Sequence, residues 1–267
     1  MKIGAVDGIF GRLESEAELF RAARDTGMDG VELVIPSNFW SSSLNSEEHR
    51  MQLVRQASEK RMEISSILLA AMWSFTFANP DVRIRDITCD MIVQATDICR
   101  HLGAKVLLIP ASGVESLDKK ASTGLFVNGL MKCTQHAENS GVILGIENVR
   151  GKIVETAGDL LRIIDEVSSP AVKAYFDVGN SSWRGKNPVE ELTSLKDCLA
   201  QVHLKDTPCN AWGKGNVNFE EVFKCLNEIN YDGYLVFELP ADRDRPVEAA
   251  RELVDYVRTA LRSQVGG

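Results

Sequence analysis

A (β/α)8 TIM barrel, an α/β fold in a single domain, is what this sequence predicts, and three observations predict it. Short β-rich runs recur eight times, at Ile3–Val6, Val31–Ile35, Ile64–Leu69, Val106–Ile109, Ile143–Glu147, Ala174–Val178, Ala200–Leu204 and Tyr234–Glu238. Segments of helical periodicity separate them, so β and α alternate with a repeat of roughly 33 residues. The first strand is not followed by the phosphate-binding turn of a doubly wound sheet, because Asp7-Gly8-Ile9-Phe10-Gly11 breaks the GxGxxG order.

The helical segments are Glu16–Thr26, Ser46–Arg61, Val82–Leu102, Gly124–Ser140, Ala157–Val167, Phe219–Ile229 and Val247–Leu261, with a weaker one at Pro188–Leu195. Several end on a glycine that suits the left-handed cap position, as at Gly27, Gly103 and Gly141, and a strand follows at once. No linker, low-complexity stretch or composition shift divides the chain, so one domain is expected over 1–267. The 267 residues carry 38 acidic against 30 basic side chains, a net charge of −8, with 44% hydrophobic and 25% charged residues. That is ordinary globular composition, and without a Lys/Arg block it disfavours a partner read through its phosphate backbone. Six cysteines without a CxxC pair read as reduced, largely core thiols. With no signal-like N-terminus and no long apolar run, the expectation is a cytoplasmic chain with small-molecule partners, no membrane and no nucleic acid.

In such a barrel, chemistry sits at the C-terminal ends of the strands. Strand five ends Gly-Ile-Glu147-Asn148, strand six Tyr-Phe-Asp177-Val-Gly-Asn180, strand seven Val-His203-Leu-Lys205-Asp206 and strand eight Val-Phe-Glu238-Leu-Pro240. Each supplies one candidate metal ligand: Glu147, Asp177, His203 and Glu238. Three carboxylates around one mouth would raise one another's pKa unless a cation neutralises them. An oxygen-rich set with one nitrogen suits Mn2+, Mg2+ or Co2+ better than a structural zinc, which favours thiolates and several imidazoles.

These strings, with Gly213-Lys-Gly215-Asn-Val-Asn-Phe219, resemble the xylose-isomerase-like sugar phosphate isomerase/epimerase superfamily over nearly the whole chain. The Asp-Val-Gly-Asn, His-Leu-Lys-Asp-Thr and Gly-x-Gly-x-Val-x-Phe combination is most similar to its L-xylulose-5-phosphate (L-ribulose-5-phosphate) 3-epimerase branch. The resemblance implies one divalent metal held by the four residues above, and with that donor set Mn2+ is expected first, with Mg2+, Co2+ and Zn2+ as alternatives. It also implies that Glu147 and Glu238 are the proton-transfer pair. Ketose 3-epimerases outside the phosphate branch usually carry a histidine three residues beyond the aspartate; Asn180 stands there, so the contacts of those enzymes do not transfer.

The chemistry fits these residues. A proton beside a ketone becomes removable when a metal polarises the carbonyl and a carboxylate lies within hydrogen-bond reach. Epimerisation needs a second acid to return a proton to the other face of the enediolate, and the same pair could run a 1,2-isomerisation. A ketose or ketose-phosphate epimerase or isomerase is therefore expected, with 3-epimerisation favoured. Inosose dehydratase, inosose isomerase and hydroxypyruvate isomerase chemistry on the same metal site is the alternative, and a catalytically silent sugar-binding barrel is the non-enzyme one. Endonuclease IV shares the barrel and the four-ligand core, but its trinuclear zinc cluster needs further histidines that this chain lacks.

Around the centre, Trp73 and Trp212 are the tryptophans expected to stack on a sugar, ahead of Trp40 and Trp183; none of the four lies in a clear helix. Lys205 shares its strand side with His203 and either binds a substrate oxygen or phosphate or pairs with Glu238. Glu32, in Gly30-Val31-Glu32-Leu33, is expected to reach a substrate hydroxyl, with a buried structural pair as its other reading, and Asn180 is the last candidate substrate contact. Lys152, Arg184, Lys186, Lys214 and Arg243 lie in loops of the same face. Exposed tryptophans there suggest a homo-oligomer.

Overall fold

The computed structural model describes residues 1–151, 153–208 and 212–263. Eight parallel strands close into a barrel in sequence order: β1 (Lys2–Val6), β2 (Gly30–Ile35), β3 (Glu63–Leu69), β4 (Val106–Pro110), β5 (Ile143–Glu147), β6 (Val172–Asp177), β7 (Leu199–Leu204) and β8 (Tyr234–Phe237), with β8 pairing back onto β1. Between them run α1 (Glu16–Asp25), α2 (Glu47–Lys60), α3 (Val82–Leu102), α4 (Lys119–Ser140), α5 (Ala157–Val167), α6 (Val178–Trp183), α7 (Pro188–Leu195) and α8 (Phe219–Glu228), and α9 (Pro246–Ser263) follows β8.

Local chemistry explains the helix starts. Ser15, Ser46, Asp81, Asp118, Thr156 and Asn218 each accept a backbone N–H of the first turn that follows, satisfying a donor the helix itself cannot pair. The cap at Asp118 places the start of α4 at Lys119, five residues before the expected Gly124. The expected glycine stops at Gly103 and Gly141 adopt left-handed backbone.

Strand alternation divides the core into two layers. On β4, Leu107 and Ile109 join the large apolar cluster that includes the helices, whereas Val106 and Leu108 fall with Tyr175 in a second, smaller cluster. The first pair therefore points out under the helices and the second into the barrel. Phe20, Phe126, Phe176, Phe223 and Phe237 are fully buried, and each such ring contributes about 1.5–3 kcal/mol of burial. Cys99, Cys133 and Cys225 are buried free thiols, while Cys89 and Cys198 are half-buried and free; Cys209 lies outside the described residues. No helix among the described residues is long and apolar enough to cross a membrane.

Two register slips interrupt the ladders. One falls between Val31 and Glu32 where β2 pairs β3, the other between Ala174 and Tyr175 where β6 pairs β7. Such irregularities bend a strand and re-aim the side chain beside them.

Candidate metal centre and active site

Strands β5, β6 and β7 deliver Glu147, Asp177 and His203 at or near their C-terminal ends, and Glu238 follows β8 directly. One ligand atom from each lies within 4.8 Å of the others. His203 Nδ1 is 3.1 Å from Glu147 Oε1 and 3.5 Å from Glu238 Oε2. Asn148 ties β5 to β6: its amide donates to the Asp177 carbonyl at 2.9 Å and its oxygen accepts the Asp177 N–H at 2.7 Å. Asp177 also caps α6, accepting the Asn180 N–H on Oδ1 at 2.8 Å.

The donor set fits a hard divalent cation. Three carboxylates and one imidazole converge, and among the described residues Asp177 Oδ2 is buried without a hydrogen-bond partner. Its nearest cation, Lys205 Nζ, is 3.7 Å away and donates instead to Glu238 Oε2 at 2.7 Å. Burial lifts the Asp177 carboxyl to about 7, with Glu238 and Glu147 adding to the rise against Lys205. Glu147 is also raised, first by burial. Burial would raise Glu238 too, but His203 and Lys205 outweigh it and hold that carboxyl low. Burial works against a charge on His203, yet Glu32, Glu147 and Glu238 keep its pKa well above the ordinary value. Lys205 is likewise disfavoured by burial and pushed up to about 12 by Asp177 and Glu238. A cluster of opposed and shifted charges in a cleft marks a candidate functional site.

Above the cluster lies a cavity of about 180 Å³, lined by Glu147, Glu238, Lys205, Asn180 and Trp73 together with Val149 and Arg150 from the loop after β5. Five of the residues singled out in the sequence thus share one cavity. Lys205 forms the ion pair with Glu238 that was one of its two readings. The Asn180 amide donates to the Asn148 carbonyl at 3.0 Å while its residue lines the cavity.

Two others sit elsewhere. Trp212 stacks on Phe219 with ring centroids 3.8 Å apart, packs edge-on against Phe237, and lines a separate cavity of about 620 Å³ with Lys214 and Arg243. Glu32 lies inside the barrel rather than in its mouth, fully buried and bonded to His203 Nε2 at 2.9 Å. The tryptophans also occupy more regular backbone than expected: Trp183 ends α6, and Trp40 and Trp73 lie in short 3-10 turns. Lys152 is outside the described residues.

Sequence reasoning passed over Arg150, whose guanidinium stands 4.7 Å from the Trp183 ring and whose residue lines the cavity. Its position three residues past Glu147, on a loop of the same face, was the available signal. The Gly213–Gly215 pair has a structural explanation. Gly215 donates its N–H to Asp206 Oδ2 at 3.0 Å, and a Cβ there would collide with Asp206 and the Thr207 carbonyl. The loop after β7 is thus clipped to the strand end by a buried carboxylate.

A model of the xylose isomerase-like TIM barrel family matches residues 20–260. SgbU of Escherichia coli K12, provisionally named an L-ribulose-5-phosphate 3-epimerase, is 27% identical over 236 residues, covering 81% of each chain. An inosose dehydratase of Clostridium botulinum strain Alaska E43 is 24% identical over 238 residues, covering 75% of this chain and 79% of that one. A crystal structure of D-psicose 3-epimerase with D-tagatose, from Clostridium cellulolyticum H10, superposes with a TM-score of 0.86 at 18% identity, over 98% of this chain and 99% of that one. With the barrel, the Glu/Asp/His cluster and the family match over most of its length, the chain belongs to the xylose isomerase-like TIM barrel family.

Proposed function

We propose that this protein is a divalent-metal-dependent isomerase that epimerises a ketose or ketose phosphate, with C3 the favoured centre. The observation that carries the reading is the convergence of Glu147, Asp177, His203 and Glu238 around a buried carboxylate oxygen with no hydrogen-bond partner among the described residues. Those four residues would hold the metal, and Mn2+ suits three carboxylates and one imidazole. When bound, such an ion polarises a ketone and lowers the barrier to losing the neighbouring proton.

The chain's own residues supply the rest. Glu147 and Glu238 come from strands that flank β6 and β7 in the barrel order, and both line the cavity, which supports a two-acid reading. One removes the C–H proton from one face and the other returns a proton to the opposite face. Lys205, hydrogen-bonded to Glu238, stabilises that carboxylate as a base and donates to a substrate oxygen. Asn180 supplies a further polar contact and Trp73 an apolar wall. Arg150, for which the described residues show no acidic partner, would receive an anionic group such as a sugar phosphate.

Dehydration of an inosose is the second reading, favoured by the inosose dehydratase among the relatives. A panel of ketoses, ketose phosphates and inososes in deuterated solvent, followed by NMR, separates the two. Epimerisation places deuterium at C3 of a ketose, whereas dehydration yields an unsaturated product. About one Mn2+ per chain is expected after dialysis, with Asp177→Ala and His203→Ala losing most of it. Full retention of metal in both variants would sink the site.

A further inference from the structure

We infer that Glu32 is a positioning residue for His203, keeping a proton on Nε2 so that Nδ1 is the nitrogen offered to a metal. The inference rests on the metal-site reading above, and its support comes from hydrogen-bond directions inside the barrel.

His203 is fully buried between two carboxylates, with Nδ1 facing Glu147 and Nε2 facing Glu32 Oε1 at 2.9 Å. The other Glu32 oxygen is already committed. Oε2 accepts from the Ser66 hydroxyl at 2.5 Å and from the Tyr175 hydroxyl at 2.8 Å. Both hydroxyls are oriented from below by one side-chain amide, since Gln201 Nε2 lies 2.6 Å from Ser66 Oγ and 2.9 Å from Tyr175 OH. An amide nitrogen has two hydrogens and no acceptor, so each hydroxyl accepts one and sends its own hydrogen to Glu32, which for Ser66 is much nearer than the Ser65 hydroxyl at 3.3 Å. Oε1 is left facing Nε2 alone, and as a carboxylate oxygen it accepts an Nε2–H. Nδ1 is the nitrogen on the ligand side.

The backbone serves the same contact. The two register slips leave an extra residue in β3 and in β7, setting Ser66 opposite Glu32 and Gln201 opposite Tyr175, and these four side chains are hydrogen-bonded inside the barrel. The Tyr175 ring also packs edge-on against the His203 imidazole, with centroids 4.5 Å apart. A carboxylate on the far nitrogen of a ligating histidine fixes both tautomer and ring orientation, and losing such a partner typically costs about 10–100-fold in metal affinity.

Glu32→Gln tests this with unusual polarity. The Ser66 and Tyr175 hydroxyls still demand an acceptor, so the glutamine oxygen takes the place of Oε2 and its NH2 faces Nε2. His203 must then accept at Nε2 and carry its proton on Nδ1, the wrong tautomer for the metal. Two measurements are made on 15N-histidine-labelled protein. Long-range 1H–15N spectra of the metal-free wild type are expected to show Nε2 of His203 protonated, and those of Glu32→Gln to show it unprotonated. Mn2+ affinity by titration calorimetry is expected to fall about 10–100-fold in the variant. An Nε2 that stays protonated in Glu32→Gln, with Mn2+ affinity within twofold of wild type, overturns the inference. If Glu32→Gln does not fold, Tyr175→Phe carries the test, because it keeps the ring and removes one donor from Oε2. A loss of Mn2+ affinity of about threefold or more supports the role, and unchanged affinity with an unchanged His203 spectrum overturns it. A wild type that binds no Mn2+ would remove the metal reading instead, while the metal-free spectra still decide where the His203 proton sits.

Discussion

Glu147 and Glu238 lie in different surroundings although both face one cavity. Glu147 is buried, its carboxyl raised by loss of solvent, whereas Glu238 is half-buried and held low by His203 and Lys205 despite burial. On the proposed reading, environments that push two acids apart in this way suit one to give a proton and the other to take it. Glutamine at either position keeps the size and one coordinating oxygen but cannot accept a proton. Glu147→Gln and Glu238→Gln are each expected to lower turnover by about 10²–10⁴-fold, a loss on the order of 3–5 kcal/mol of transition-state stabilisation. One of the two should still exchange the substrate's C3 proton with deuterated solvent without forming epimer, and the glutamate left in place is then the base for that face. Turnover near the wild-type rate in either variant would leave that glutamate as a ligand only. Asp7 makes a second residue-scale case. Burial lifts its carboxyl to about 6, so the native state holds a proton that the unfolded chain releases near pH 4, and stability is lost as pH rises through about 6. Asp7→Asn is therefore expected to be more stable than wild type at pH 8 by up to about 3 kcal/mol, and no different at pH 3, as read by urea unfolding.

Elements of this barrel were legible where their signals are local. Caps, glycine stops and strand runs lie within a few residues of what they specify, and the same is true of the four strand-end candidate ligands, each announced by its own strand. α5 illustrates the point: Thr156 Oγ1 accepts the Asp159 N–H at 3.2 Å, and Thr156→Ala is expected to cost about 1 kcal/mol in denaturant unfolding, with no change in metal content. A loss of metal in that variant would show that the loop after β5 depends on the cap. Other features were hidden because they depend on distance along the chain or on register. Glu32 meets His203 across 171 residues, and a slip beside Glu32 accompanies its place inside the barrel, neither of which strand alternation foretells. Asp177 closes its own strand and begins α6, a helix too short to show a periodicity, so Val178 and Trp183 read as strand end and loop. Trp212 was read as a sugar platform because it follows a strand end; its ring instead finds Phe219 and Phe237, apolar partners that the sequence does not place in space.

At the scale of the whole molecule, the candidate ligand cluster joins four successive strand ends and so couples barrel stability to charge. In the metal-free protein Asp177 is lifted to about 7, and its contribution is fully present below its ordinary value of 3.8 and lost as pH rises through 7. His203, also raised, acts in the same direction at higher pH. The metal-free barrel therefore carries a charge penalty that grows from about pH 4 to about pH 7. Asp177→Asn removes that penalty while keeping the Oδ1 that caps α6. Without metal, the variant is expected to melt progressively higher than wild type as pH rises across that window, the difference levelling off above it. Adding Mn2+ should reverse the order. A ligand at a hundredfold excess over its Kd stabilises by about 2.7 kcal/mol, which for a chain of this size shifts Tm by on the order of 5–10 °C. That gain is expected for wild type at pH 7.5 and not for Asp177→Asn. Parallel melting curves for the two proteins at every pH, with and without Mn2+, would show that the crowded carboxylates are balanced by Lys205 and His203 alone, and the barrel would then have no energetic need of a metal.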